Sequence, residues 1–382
     1  MQFVSARDVK EGMCVAEDVR DPMGRTLIAR GQRIGDHHII RMRKFGIASI
    51  FIDPNNGEGV KPPTKSEIRT ECEKVLSGVC GQLATEMDAK KLALNAKDIQ
   101  ATIDHLLEAL LKSKNPLVAL CDIATESDRL LQHSVNTTVL ATVIGVDLRL
   151  TEGMLKDLAT GMLFHDVGTV FLPQELTRKN QPLNQQEMLA LRKHTQLGFE
   201  HLLRSEAVSS ISANIAFRHH ETLDGSGYPE RIGGDKLSPL MRIAHVVETY
   251  DSLTTPRFGL PPVMPDAAIT YLVANVDKLY AREVVAALLK HIALYPVGTA
   301  AQLNTGECGI VAGVLATAPM RPVLLIHTDN RGRRLKQPMV VDLTCDASHK
   351  IVRSARTLDA LLAVKDPTTP QMTVDPLYAN IG

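Results

Sequence analysis

His219-His220-Glu221-Thr222-Leu223-Asp224-Gly225-Ser226-Gly227-Tyr228-Pro229 joins two adjacent imidazoles to a glycine-rich turn that ends in Tyr-Pro. Imidazole is the commonest protein ligand for zinc, iron and manganese, and two neighbours on a helix can each reach an ion if the ions sit close together. The glycines permit backbone angles that a side chain forbids, and the proline stiffens the exit from the turn. The stretch therefore reads as a metal site beside a loop that can lay backbone amides and a tyrosine ring against a ligand.

On either side, further ligand types fall on apolar stripes of helical period. Leu130, His133, Thr137, Leu140 and Ile144 share one face of a helix that Ser127 can cap. Thr151 opens another, in which Leu155, Leu158, Ala159 and Met162 lead into His165-Asp166 before Gly168 ends it. Asn184, with Glu187 three residues on, predicts a capping box for a helix bearing Leu191, His194, Gly198 and Leu202. Ile211, Ile215 and His219 follow at intervals of four, and Ser238-Pro239 opens a helix with Leu240, Ala244, Val247, Glu248 and Asp251 on one face. Ligand types on successive helices are how a bundle builds an interior metal site. Five histidines and two or three carboxylates are too many for one ion. Aspartate beside histidine can bridge two metals about 3.5–4 Å apart, a pair that lowers the pKa of a water and clamps a phosphoryl group. The implied chemistry is phosphoester hydrolysis. His201 and His245, by contrast, read as hydrogen-bonded core residues.

The rest of the chain frames this helical segment. Short apolar stretches at Cys14-Val15-Ala16, Thr26-Leu27-Ile28-Ala29 and Ala48-Ser49-Ile50-Phe51-Ile52 predict strands, with one helix over 36–44. Asp53-Pro54-Asn55-Asn56-Gly57 through Lys61-Pro62-Pro63 has linker composition, and 65–113 reads as charged helices packed against neighbours with a solvated face. After Tyr295-Pro296 the pattern turns β-like again, in 309–315, 322–326 and 339–343, before a proline-containing tail. The predicted fold is mainly α. It comprises an N-terminal β-rich accessory domain (1–60), a helical linker region (61–115), a helical bundle (116–295) and a small C-terminal β element with its tail (296–382).

Composition narrows the function classes. The 382 residues are 44% hydrophobic and 23% charged, as in an ordinary soluble protein. Lys+Arg and Asp+Glu both total 43, which gives no electrostatic case for a nucleic-acid polymer or an anionic membrane. The opening MQFVSARDVKEG lacks the apolar core of a signal peptide. No run of about 18 apolar residues follows, so the sequence predicts a cytoplasmic chain without membrane insertion. Cys14, Cys72, Cys80, Cys121, Cys308 and Cys345 are scattered without a Cys-x-x-Cys pair and read as reduced thiols.

The order His133, His165-Asp166, His194, His219-His220 and a late carboxylate, together with the DGSGYP loop, resembles the HD-GYP branch of the HD phosphohydrolase superfamily over about 118–295. The resemblance implies an all-helical domain whose two or three ions, usually iron or manganese, support hydrolysis of the bacterial messenger cyclic di-GMP to pGpG or GMP. Matched residue by residue, it implies metal ligation by His133, His165, Asp166, His194, His219, His220 and Glu248, with Asp166 bridging and His165 and Asp166 at the catalytic centre. It places Arg257 on a phosphate, and Tyr228 and Gly227 beside the nucleotide. A homodimer or other signalling proteins are the partners it leaves open.

The chain departs from the family pattern at four positions. Glu248 stands where the family usually has aspartate, one methylene shorter. Thr169 replaces a lysine, and a hydroxyl cannot neutralise developing negative charge as lysine can. Arg129 stands where three-metal members place a glutamate ligand, which favours two ions, and Leu260 falls at a second basic position. Thr169, Glu248 and Leu260 frame the alternatives to a cyclic di-GMP phosphodiesterase. One is a cyclic dinucleotide receptor with little or no turnover, and the other is an enzyme acting on a hybrid cyclic dinucleotide or on pGpG.

Overall fold

The computed structural model describes residues 2–5, 9–15, 19–20, 26–29, 31–44, 49–53, 96–112, 129–205, 207–315 and 318–363. Ser127 and the tail beyond residue 363 lie outside the described residues, as does most of the stretch read as linker and charged helices. Near the N-terminus, β1 (Gln2–Ser5), β5 (Ser49–Asp53) and β2 (Cys14–Val15) form an antiparallel sheet in the order β1-β5-β2. β3 (Val19–Arg20) pairs with β4 (Thr26–Ile28), and α1 (Asp36–Lys44) completes the unit around Val15, Ile28, Ile34, Met42 and Ile50.

The helical part begins with α2 (Ala96–Lys112) and α3 (Arg129–Asp147). Leu140 and Ile144 of α3 enter a core with residues of α4 (Glu152–Phe164), α9 (Pro239–Thr254) and α11 (Arg282–His291). A second cluster joins Ile103 and Leu106 of α2 to Val135, Leu163, Phe164 and Leu202. The buried flanks of α3 carry Thr137, Thr138 and Thr142 with their hydroxyls satisfied, each donating to a carbonyl of its own helix at 2.6–2.8 Å. Polar residues therefore do not prevent the His133 helix from being buried.

Local signals set the helix starts. Thr151 accepts from Met154 N, Ser238 accepts from Met241 N ahead of Pro239, and Asn184 and Glu187 form the reciprocal capping box. The predicted single helix from Asn184 to Leu202 is broken into α6 (Gln185–Leu191) and α7 (His194–Leu203). His165 caps the end of α4, and Asp166 lies beyond it at the start of a 3-10 turn, Val167–Phe171, that leads to the short α5 (Gln174–Thr177). Ile211, expected on the inward stripe of α8 (Ser210–Arg218), is 52% exposed, while Ile215 is fully buried. α8 faces the core through Ala213, Ile215 and Ala216, so the four-residue spacing alone misplaced its first turn.

α10 (Pro265–Ala274) joins the main core, and after α11 the chain forms five strands. These are β6 (Ala300–Leu303), β7 (Cys308–Leu315), β8 (Ala318–Thr328), β9 (Arg334–Asp342) and β10 (Ile351–Ala355), antiparallel in the order β10-β6-β7-β8-β9. β6, β10 and the closing α12 (Leu358–Ala363) were not anticipated, since β6 is four residues long and β10 alternates weakly. Ser354 Oγ donates to Asp266 Oδ2 at 2.7 Å and Arg356 Nη2 to the Pro262 carbonyl at 2.5 Å, tying this sheet to the helical domain. Among the described residues no helix is long and apolar enough to cross a membrane.

One close approach fixes the geometry between α7 and the 3-10 turn. A Cβ on Gly168 would lie 2.0 Å from the carbonyl oxygen of His194 and 2.5 Å from Gly198 N. Backbone therefore packs on backbone where His194 enters the interior. Gly168→Ala is expected to destabilise the protein by about 2 kcal/mol, the usual scale for forced overpacking. Urea unfolding with an unchanged midpoint would show that the contact is not needed.

Candidate metal centre

The helices deliver seven buried side chains of metal-ligating types to one interior region. His133 comes from α3, His165 and Asp166 from the end of α4, His194 from the start of α7, His219 and His220 from the end of α8, and Glu248 from α9. They form two groups, Asp166 with His194, His219 and His220, and His133 with His165 and Glu248. Within each group the ligand atoms lie within 4.8 Å of one another. The structure thus brings together every ligand residue predicted from sequence.

Asp166 lies between the groups. Its Oδ1 is 3.2 Å from His194 Nε2 and 3.8 Å from His219 Nε2, while its Oδ2 is 3.7 Å from His133 Nε2 and 4.0 Å from His165 Nε2. A carboxylate with one oxygen toward each imidazole group has the placement of a bridge. Glu248 reaches the second group despite its extra methylene, with Oε2 2.7 Å from His133 Nε2 and 3.1 Å from His165 Nε2. Its other oxygen accepts from Ser252 Oγ at 2.7 Å and lies 3.4 Å from Arg257 Nη1, so the longer side chain is held at both ends.

The hydrogen bonds fix which ring nitrogens face inward. Nδ1 of His165, His194 and His219 meets the carbonyls of Met162, Leu191 and Ala216 at 2.6, 2.8 and 2.9 Å, and a carbonyl can only accept. Each Nδ1 therefore carries the proton and Nε2 is left as a donor atom for a cation. His133 Nδ1 is paired with Asp251 Oδ2 at 2.7 Å, and Asp251 Oδ1 accepts from Asn136 at 3.2 Å. Asp251, on the same face as Glu248, thus holds the His133 ring by its outer nitrogen. Only the packing of α3 on α9 shows this, because the sequence places Asp251 on the same helix face as Glu248 without saying which of the two meets a histidine.

The site fits a divalent cation. Asp166 Oδ1 and both ring nitrogens of His220 are buried without a hydrogen-bond partner, although such atoms are ordinarily satisfied in folded proteins. Imidazoles and carboxylates together suit transition ions such as iron, manganese and zinc. The groups also hold protons differently. Burial alone would lower the pKa of His133, but Glu248 and Asp251 raise it well above its ordinary value. Burial, with neighbouring imidazoles, holds His219 and His220 well below theirs. Burial would raise Asp166 and Glu248, yet the adjoining histidines keep both carboxylates ionised.

The DGSGYP loop is shaped mainly by its own side chains. Glu221 accepts from the backbone amides of Glu230, Arg231 and Ile232 at 2.6, 2.9 and 3.1 Å, and Asp224 Oδ1 accepts from Thr222 Oγ1 and Ser226. A Cβ on Gly227 would lie 2.3 Å from the His220 carbonyl, so this glycine lets the loop fold back on the ligand pair. The Tyr228 ring stacks on His220 at 4.6 Å, with the Arg192 guanidinium carbon 4.6 Å from its centroid. The three-amide role of Glu221 was not read from sequence, where it passes as a neighbour of the histidines.

Arg257 lies at the centre, with Nη2 3.4 Å from Asp166 Oδ2 and Nη1 3.0 Å from Ser252 Oγ. Leu260, at the position read as a lost cation, packs with Phe258, Leu172, Leu176 and Leu183 and so anchors the Arg257 loop. Thr169 donates its hydroxyl to the Asp166 carbonyl at 2.7 Å, bracing the turn that holds the bridge. His245 is a core residue, pushed down to about 4 by burial, whereas His201, read as core, is half-buried and donates to the Leu197 carbonyl at 2.7 Å.

With this geometry the chain's relatives can be placed. Residues 119–284 match the HD domain family and residues 301–359 the KOW domain associated with HD domains. All seven residues of the two buried groups, and the DGSGYP loop, fall within the HD-domain match. It is similar to a cyclic di-GMP phosphodiesterase of Pseudomonas aeruginosa, at 26% identity over 66% of this chain and 60% of that one. It is also similar to the cyclic di-GMP phosphodiesterase response regulator RpfG of Xanthomonas campestris pv. campestris, at 26% identity over 60% of each chain. A 3'3'-cGAMP-specific phosphodiesterase of Vibrio cholerae is 34% identical over 33% of this chain and 24% of its own length. The chain thus spans about 60% of the length of the first two relatives.

Two outcomes test the centre. A metal entering the His133 group displaces the proton that Glu248 and Asp251 favour, so its affinity falls by roughly tenfold per unit of acidification below that raised pKa. His219 and His220 hold no competing proton near neutrality, so the group containing them keeps its ion to lower pH. Metal content after dialysis across a pH series should fall in two steps, and His133→Ala should abolish the step at higher pH; a single step would contradict this. Asp251→Asn, which weakens the partner of His133 Nδ1, should reduce metal affinity by about 10–100-fold in chelator competition with the fold retained. Wild-type affinity in that variant would remove Asp251 from the site.

Proposed function

We propose that this protein is a metal-dependent phosphodiesterase that hydrolyses cyclic di-GMP to pGpG or GMP. The observation that carries this reading is the placement of Asp166 between two buried imidazole groups, each able to hold one ion. The relatives named as cyclic di-GMP phosphodiesterases support it. Two divalent ions, iron or manganese on this donor set, would supply Lewis acidity to the phosphoryl oxygens and to water.

The chain's own residues do the positioning. Asp166 and Glu248 set the spacing of the two groups, and Asp251 and the helix carbonyls aim the imidazoles. Arg257, 20% exposed and paired with both carboxylates, is placed to exchange part of that pairing for a phosphate oxygen. No side chain need act as nucleophile, because an in-line attack by water requires only orientation and charge neutralisation. Gly227 and Tyr228 would then line the nucleotide side, the tyrosine by its edge and hydroxyl while its ring rests on His220.

The test is to load the protein with iron or manganese, supply cyclic di-GMP, and follow pGpG and GMP by chromatography beside an Asp166→Ala control. Hydrolysis that is lost in the control, a drop of at least about 100-fold, is the expected outcome. Tight binding without turnover in either metal would favour a receptor instead. The similarity to the 3'3'-cGAMP-specific enzyme makes that hybrid dinucleotide the second substrate to supply.

A further inference from the structure

Arg192 is the cap residue between α6 and α7, two positions before the ligand His194. Its guanidinium makes no hydrogen bond or ion pair among the described residues, and its Nε is buried without a partner. Arg257 is the other cation at the centre, and it is already engaged by Asp166, Glu248 and Ser252. Arg192 instead lies over Tyr228, whose ring rests on the ligand His220. It is thus an unneutralised planar cation one aromatic ring removed from the metal ligands. Stacking occupies a face of the guanidinium and leaves its in-plane N–H donors for an acceptor. With no ion partner, the guanidinium gains charge-assisted hydrogen bonds when a ligand oxygen reaches its Nη donors.

We propose that Arg192 binds the second phosphodiester of a cyclic dinucleotide, the one not being cleaved, while Arg257 and the metal ligands hold the first. This inference rests on the phosphodiesterase reading above. It makes Arg192 a substrate-binding residue that separates dinucleotides carrying two phosphodiesters from small esters carrying one. The two Nη donors, which unlike Nε are not buried, match two oxygens of a phosphate, and Tyr228 fixes their plane.

The test compares wild type, Arg192→Ala and Arg192→Lys, each loaded with manganese, on cyclic di-GMP and on bis(p-nitrophenyl) phosphate. In Arg192→Ala the KM for cyclic di-GMP should rise by roughly 10–100-fold, the scale of a lost charge-assisted hydrogen bond. The loss of kcat/KM should be at least about tenfold greater on cyclic di-GMP than on the small ester, with bound manganese as in wild type. Arg192→Lys should recover part of the affinity, because lysine still offers a point charge to phosphate. Equal losses on both substrates, or a fall in bound manganese, would show that Arg192 only braces Tyr228 and His220, and would overturn the proposal. An unchanged KM would do the same, as would a lysine variant no better than alanine. A wild-type protein that neither binds nor cleaves cyclic di-GMP overturns the phosphodiesterase reading itself, and the role of Arg192 falls with it.

Discussion

The carboxylate of Asp166, shared between two imidazole groups in a dry interior, is the constraint to which the helical domain is built. Seven ionisable ligands cannot be buried together at little cost unless charge is balanced and the inward-facing atoms find a cation. Each helix contributes to that balance at its own end. Carbonyls in the last turns of α4 and α8 take the outer nitrogens of His165 and His219, and the Leu191 carbonyl does the same for His194. The break between α6 and α7 follows from the same demand, because His194 must start a helix where Gly168 and Gly198 let backbones meet.

Much of the ligand set was legible in the sequence because each ligand lies on or beside an apolar helical stripe, and because histidine followed by aspartate and paired histidines are uncommon on such stripes. The capping signals at Thr151, Asn184 and Ser238 were legible for the same local reason. What the sequence could not show are the contacts between elements. Asp251 reaches His133 from 118 residues away, and Glu221 gathers three amides from beyond its own turn. Ile211 shows the opposite failure, where a correct period was continued into a turn that faces solvent. The break after Leu191 had no signal either, as Arg192 and Lys193 are both compatible with helix.

The family departures acquire individual meanings in three dimensions. Glu248 spends its extra length reaching two imidazoles while Ser252 and Arg257 steady its other oxygen. Leu260 exchanges a charge for an anchor, packing beside Phe258 and fixing the loop that carries Arg257. Thr169 supports the backbone of the bridging residue. None of the three removes a contact from the ligand set, so each changes how the centre is framed and leaves the donor atoms in place.

The loop that carries Arg257 is held along its length. Phe258 and Leu260 sink into a small apolar cluster, Val263 N bonds the Leu253 carbonyl, and Arg356 of the C-terminal segment grips the carbonyl of Pro262. A segment restrained at so many points has surrendered most of its conformational entropy during folding. On the proposed reading, a phosphate would meet a guanidinium already ordered, and little of the binding free energy would be lost in arranging it. The distant strand that bears Ser354 would thereby contribute to affinity without approaching a ligand, by limiting the number of shapes the loop can take.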